Sequence, residues 1–158
     1  MEIKRKTINV ISKELIKTQV NLTSKEDILN ACIEMAYQEG KLNDRAAYKA
    51  AVLKREEEFS TALGYLVAIP HGQSDSVNEP WVVVMNTKES FKWDERSENE
   101  VKLIFLIGVP MKNREKAHLE ILANISRNLM DDEFRERMIN VNSDEEAYKI
   151  LKKMEKES

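Results

Sequence analysis

Apolar positions along the chain change period twice. Between Ser24 and Gly40, residues Ile28, Ala31, Cys32, Met35 and Ala36 recur three and four apart, the spacing of one helix face. Ser24 with Asp27 three residues later is a start signal of the capping-box type, and Gly40 is a stop. A second helix is read over 43–57 from Ala46, Ala47, Ala50, Ala51 and Leu53. The middle then switches to short, β-branched, apolar runs over 66–70, 81–87 and 101–109, bounded by turn residues. The last two are apolar at successive positions, as strands covered on both faces are. A further short strand is read over 19–22. From His118 the helical period returns, with Leu122, Ile125 and Leu129 on the same stripe. Asp131, Asp132 and Glu133 open another short helix, and Ser143 with Glu146 caps the last one. Helices, then strands, then helices predict one α/β domain over 1–158, a central β-sheet flanked by helices on both faces. The strand order stays open.

Composition narrows the function. With Lys+Arg 25 against Asp+Glu 28 the chain carries a net charge of −3, and 42% of its 158 residues are hydrophobic. That is enough apolar material for a core, and the acidity argues against a nucleic-acid module, which needs clustered cations. Cys32 is the single cysteine, which excludes an internal disulfide framework and any multi-cysteine zinc site. The longest apolar stretch, 103–111, is far short of the roughly 20 residues of a membrane span. Residues 1–17 alternate charged and apolar types, unlike a signal peptide, so a cytoplasmic protein without membrane insertion is expected.

Chemistry has few places to sit, because there are two histidines. His71 lies in the run Ala68, Ile69, Pro70, His71, Gly72, directly after a predicted buried strand. Proline stops the ladder there and Gly72 removes a side chain that would block close approach. This puts an imidazole at a strand end, beside backbone N–H groups over 72–75 that are expected to be exposed. Such a histidine can be a nucleophile, a base or a ligand, and the local pattern equally admits an inert loop residue. His118 sits on an apolar stripe, and spacing alone reads it as a core histidine. No paired-histidine metal spacing, nucleophile-elbow motif or glycine-rich phosphate loop is present, so no metal or cofactor is expected.

The run from Arg55 and Glu56 through Leu63, Gly64, Tyr65, Leu66, Val67, Ala68, Ile69 to Pro70, His71 and Gly72 resembles the signature of the fructose/mannitol-type enzyme IIA domain. These domains belong to the bacterial phosphoenolpyruvate-dependent sugar phosphotransferase system. The run 101–110 resembles the family's buried strand, and the run starting at His118 and Leu119 resembles its second histidine motif. The resemblance implies a mixed sheet and a transiently phosphorylated histidine, here His71. The phosphoryl group would come from the phosphocarrier HPr, or an HPr-like domain, and leave to a cysteine of an enzyme IIB domain. Arg55 and His118 match the two residues kept beside the phosphorylated imidazole, which reverses the core reading of His118. Ser74 and the amides after Gly72 are expected to form a small anion-binding turn, with no metal needed. A regulatory, nitrogen-type module of the same fold is the alternative use.

Overall fold

The computed structural model describes residues 10–96, 98–111 and 117–156. A 3-10 turn at Lys13–Leu15 leads into β1 (Ile16–Val20), followed by α1 (Lys25–Gln38) and α2 (Arg45–Glu58). Then come β2 (Ala62–Gly64), β3 (Leu66–Ala68), β4 (His71–Ser74), β5 (Trp81–Lys92) and β6 (Glu100–Pro110). Three helices close the chain: α3 (Ala117–Leu129), α4 (Asp132–Asn140) and α5 (Asp144–Lys156). The sheet runs β1-β5-β6-β3-β2, with β4 also on β6. It is mixed: β1 is parallel to β5, β3 and β4 are parallel to β6, and the β5–β6 and β2–β3 pairs are antiparallel.

The start and stop signals expected for α1 operate, and α2 has a cap that was not predicted. Ser24 accepts the Asp27 amide at 3.1 Å, and Asp44 caps α2 by accepting from Ala47 at 3.0 Å. Gly40, at φ +70, follows the last turn of α1, where Gly40 N donates to Tyr37 O at 3.0 Å and Lys41 N to Ala36 O at 2.9 Å. This is a Schellman closure, which needs the left-handed conformation glycine adopts without strain.

Two apolar clusters lie on the two sheet faces. On one, α1 and α2 cover Trp81, Val83, Met85, Ile104 and Leu106. On the other, α3, α4 and α5 cover Val82, Val84, Leu103, Phe105, Ile107 and Val109. The alternation along β5 and β6 is the period of a pleated strand buried on both sides. Val101 breaks the parity of β6 by joining the first face, because Leu66 pairs with Val101 but Val67 with Leu103. Two residues of β6 oppose one of β3, a bulge that turns the strand over.

β5 outruns the predicted 81–87. Its pairing with β6 shifts register between Asn86 and Phe91, so the exposed Lys88, Glu89 and Ser90 are accommodated in an irregularity before Phe91 re-enters the core. The predicted strand over 66–70 is β3, which stops at Ala68, and after Ile69 and Pro70 a strand that was not predicted, β4, begins at His71. β2 was not foreseen at all. The two tryptophans bracket β5. Trp81 lies against Gly108, where an added Cβ would sit 2.2 Å from its ring, and Trp93 follows the strand's other end.

One buried polar residue joins three elements, β1, β5 and the end of α4. Asn86 accepts from Gln19 N at 2.6 Å and donates to Met138 O at 2.9 Å and Val141 O at 2.8 Å. Gln19 stands at φ +57, where β1 slips register against β5, so this side chain braces an irregular strand end against the end of α4.

Candidate active site

His71 opens β4 and is half-buried. Its position follows from the break in the β3–β4 line. Ile69 N donates to Thr61 O at 3.0 Å, one rung beyond the Ala62–Ala68 pair, while Pro70 O accepts from Ile107 N at 3.0 Å. In a complete antiparallel rung the Ile69 carbonyl would take the Thr61 amide in return, but β2 begins only at Ala62. The imidazole takes that carbonyl, with Nδ1 3.1 Å from Ile69 O. A carbonyl oxygen only accepts, so Nδ1 carries the proton and the neutral ring keeps a lone pair on Nε2. A fixed tautomer with a nucleophilic Nε2 is the chemical content of this arrangement.

The next residue explains the glycine differently from the expectation. A Cβ on Gly72 would stand 2.8 Å from Val52 Cγ2, 3.1 Å from Val52 N and 3.2 Å from Tyr48 Cε1. What approaches closely is helix α2. Tyr48 is fully buried there, donates to Ile107 O at 2.7 Å, and burial holds its hydroxyl well above the usual tyrosine range. The expected turn of exposed amides over 72–75 is a strand through Ser74, paired in register with β6 from Ile107 to Pro110. Ser74 is buried, its hydroxyl shares a 2.8 Å hydrogen bond with that of Ser76 and accepts from Ser76 N at 3.1 Å. The Ser74 hydroxyl therefore has a partner in Ser76, and alternation along β4 turns Gly72 and Ser74 toward α2 and His71 to the opposite face.

Arg55 stands in the last turn of α2, one turn beyond Val52, and Nη1 donates to Phe59 O at 2.9 Å. Phe59 and Thr61 belong to the same short connection to β2, so Arg55 and His71 are fastened to its two ends. Glu56, quoted in the sequence only as part of a motif, is buried, at 2% exposure. Its Oε1 accepts from the Thr61 hydroxyl, and its Oε2 from Trp93 Nε1 at 3.0 Å and Lys25 Nζ at 3.4 Å. Thr61 carried no signal in the sequence, since a lone threonine between helix and strand fits any loop. His118 is the second residue of α3, and its side chain lies outside the described residues. Farther along the stripe, Ile125 and Leu129 are buried as predicted. Burial pushes the Cys32 thiol up to about 12, which leaves it un-ionised and inert. Among the described residues, no three His, Cys, Asp or Glu side chains gather as a metal site, and no helix is long and apolar enough to cross a membrane.

Residues 9–154 match the family model described as phosphoenolpyruvate-dependent sugar phosphotransferase system, EIIA 2. The chain belongs to this family of phosphotransferase-system components. It is 33% identical over 138 residues to the fructose-specific EIIA component of Haloferax volcanii, covering 87% of this chain and 89% of that protein. It is 30% identical over 147 residues to the mannitol-specific enzyme IIA component of Bacillus subtilis, covering 91% and 97%. The crystal structure of the nitrogen regulatory protein IIA-Ntr from Neisseria meningitidis superposes with a TM-score of 0.80 at 28% identity, over 90% of this chain and 96% of that one. Longer relatives also exist: the chain spans 24% of the fructose-specific EIIABC component of Bacillus subtilis.

Proposed function

We propose that this chain is a phosphorelay subunit of sugar uptake that accepts a phosphoryl group from phospho-HPr on His71 Nε2 and passes it to an enzyme IIB domain. The Nδ1–H to Ile69 O bond carries this reading, because it fixes the proton away from the reacting nitrogen. The Nε2 lone pair attacks phosphorus in line, an N–P bond forms, and the bond to the HPr histidine breaks with its electron pair returning to that nitrogen. A IIB thiolate then attacks the same phosphorus, forming S–P and returning the pair to Nε2. Nδ1 keeps its proton throughout. Arg55 neutralises the equatorial oxygens with a charge that does not titrate, and His118 is the second flanking group. Ser74 and Gly72, turned toward α2, shape the strand that holds His71 rather than binding the phosphoryl oxygens. The reaction needs no metal or cofactor, and its setting is the cytoplasm.

The test is incubation with phosphoenolpyruvate, enzyme I, HPr and a set of IIB domains, with mass spectrometry locating the phosphate. The expected result is one phosphorylated residue, His71, with loss of all incorporation in His71→Ala. Phosphate on His118 or a serine would sink the assignment. The likeness to a nitrogen regulatory protein favours a second reading, in which phosphorylated His71 is itself the signal. A chain that is phosphorylated by HPr but donates to none of the IIB domains would favour that one.

A further inference from the structure

Glu56 is the buried acid on the α2 side of the molecule that the phosphoryl-transfer reading does not use. One of its contacts reaches the short segment that leads into β2, and two others hold the carboxylate in place. Its carboxylate is fixed from three directions: by Lys25 at the start of α1, by the Trp93 indole beyond β5, and by the Thr61 hydroxyl. Lys25 Nζ also lies 5.7 Å over the Trp93 ring, so the donors brace one another. Buried charge of this kind adds little as stability alone, since well-packed apolar residues do as well, and here its donors come from three separate segments of the chain.

What it fixes leads to the imidazole by an unbroken series of hydrogen bonds. Thr61, held by Glu56, accepts Ile69 N at 3.0 Å through its carbonyl, and Ile69 O in turn accepts His71 Nδ1 at 3.1 Å. Both backbone polar groups of Ile69 are thereby engaged, one on each side of its Cα. The coupling is one of position, because the two groups belong to different peptide units. At the other end of the connection, Arg55 donates to Phe59 O at 2.9 Å. Arg96 closes the back of the turn on Glu56 O at 2.8 Å and Glu57 O at 3.2 Å.

We propose that Glu56 and Thr61 are positioning residues that clamp the connection over 59–61 and so hold His71 in one tautomer, with Arg55 fastened beside it. The proposal rests on His71 as the phosphoryl acceptor, and deepens that reading by saying what sets the nucleophile. Without the clamp, Ile69 gains freedom, its carbonyl leaves the imidazole, and the proton distributes between the two ring nitrogens.

The test uses the full 15N-labelled chain and two readouts. One is the pair of His71 ring-nitrogen chemical shifts above the imidazole titration, which report the tautomer and need no phosphoryl donor. The other is the rate of phosphorylation by phospho-HPr in rapid quench. The wild type is expected to show a single Nδ1–H tautomer. Thr61→Val, nearly the same shape without the hydroxyl, is expected to show averaged nitrogen shifts and a rate about tenfold lower, below the ~100-fold that an ångström of misplacement can cost. Thr61→Ser restores the hydroxyl and is expected to restore both readouts, which a purely structural role of the threonine methyl would not. Glu56→Gln, which leaves fewer acceptor sites for the same donors, serves as the second variant if Thr61→Val does not fold. Folded Thr61→Val or Glu56→Gln with wild-type nitrogen shifts and rate would overturn the proposal. Altered shifts in a chain that HPr never phosphorylates would uphold the clamp and defeat the acceptor reading instead.

Discussion

A guanidinium and an ammonium bear the same charge, yet only the former can hold Phe59 O and still offer a planar edge of N–H groups to a phosphoryl oxygen pair. Arg55→Lys is therefore expected to slow His71 phosphorylation by about 100-fold while leaving the melting temperature near that of the wild type. Rapid-quench transfer beside thermal melts checks this, and a normal rate would return Arg55 to the solvent. At this scale the sequence was half legible. Proline before and glycine after His71 marked a special backbone, but nothing local said that the Ile69 carbonyl would select the tautomer, because that acceptor is freed by where β2 begins. Cys32 was readable as an inert apolar residue from its place on a helix face, and its full burial agrees.

Between elements, the decisive contact is α2 on β4. A methyl at Gly72 meets both Val52 Cγ2 at 2.8 Å and Val52 N at 3.1 Å, and only the first can swing aside. Gly72→Ala is expected to cost about 1–3 kcal/mol by overpacking. Adding Val52→Ala is expected to recover part of that and not all, since the helix backbone stays where it was. Chemical denaturation of the two single variants and the double variant measures the coupling; full recovery would mean the side chain alone carried the clash. The helices and the two long strands were legible because period and caps are local properties. β2 and β4 were not. Each is too short for a period to show, Gly64 in β2 sits at φ +89, and the polar residues of β4 are strand only because β6 offers them a ladder.

Over the whole molecule, the α3–α5 layer is tied to the sheet through polar as well as apolar contacts. Asn86 is 2% exposed, and besides joining β1 to the α4 end it lies near a second tie, in which Thr18 N donates to Asp144 Oδ1 at 2.7 Å at the start of α5. Asn86→Ala would strand Gln19 N and Met138 O, at roughly 1–3 kcal/mol for each group left unpaired, while Val141 O keeps the Gln19 Nε2 donor at 3.1 Å. Urea unfolding should register a loss of about 2 kcal/mol or more, and a loss well under 1 kcal/mol would show that the surrounding chain rearranges to satisfy them. The strand order that creates this junction was beyond the sequence, because it depends on which strands meet across the sheet and not on any one of them. The order of helical and strand patterns supplied the α/β class and the family resemblance the mixed sheet, while the polar junction has no motif.

The two tryptophans at the ends of β5 give the chain a built-in optical contrast. The Trp93 indole donates to Glu56, whereas Trp81 Nε1 has no hydrogen-bond partner among the described residues and its ring lies 5.1 Å from that of Tyr48 at a tilt of 53°. Excited-state emission from Trp93 therefore samples a carboxylate held in the interior, and that from Trp81 samples hydrocarbon and a phenol. In a Trp81→Phe background, light from the remaining indole becomes a direct gauge of the grip on the segment beside His71, readable through every turnover without a label.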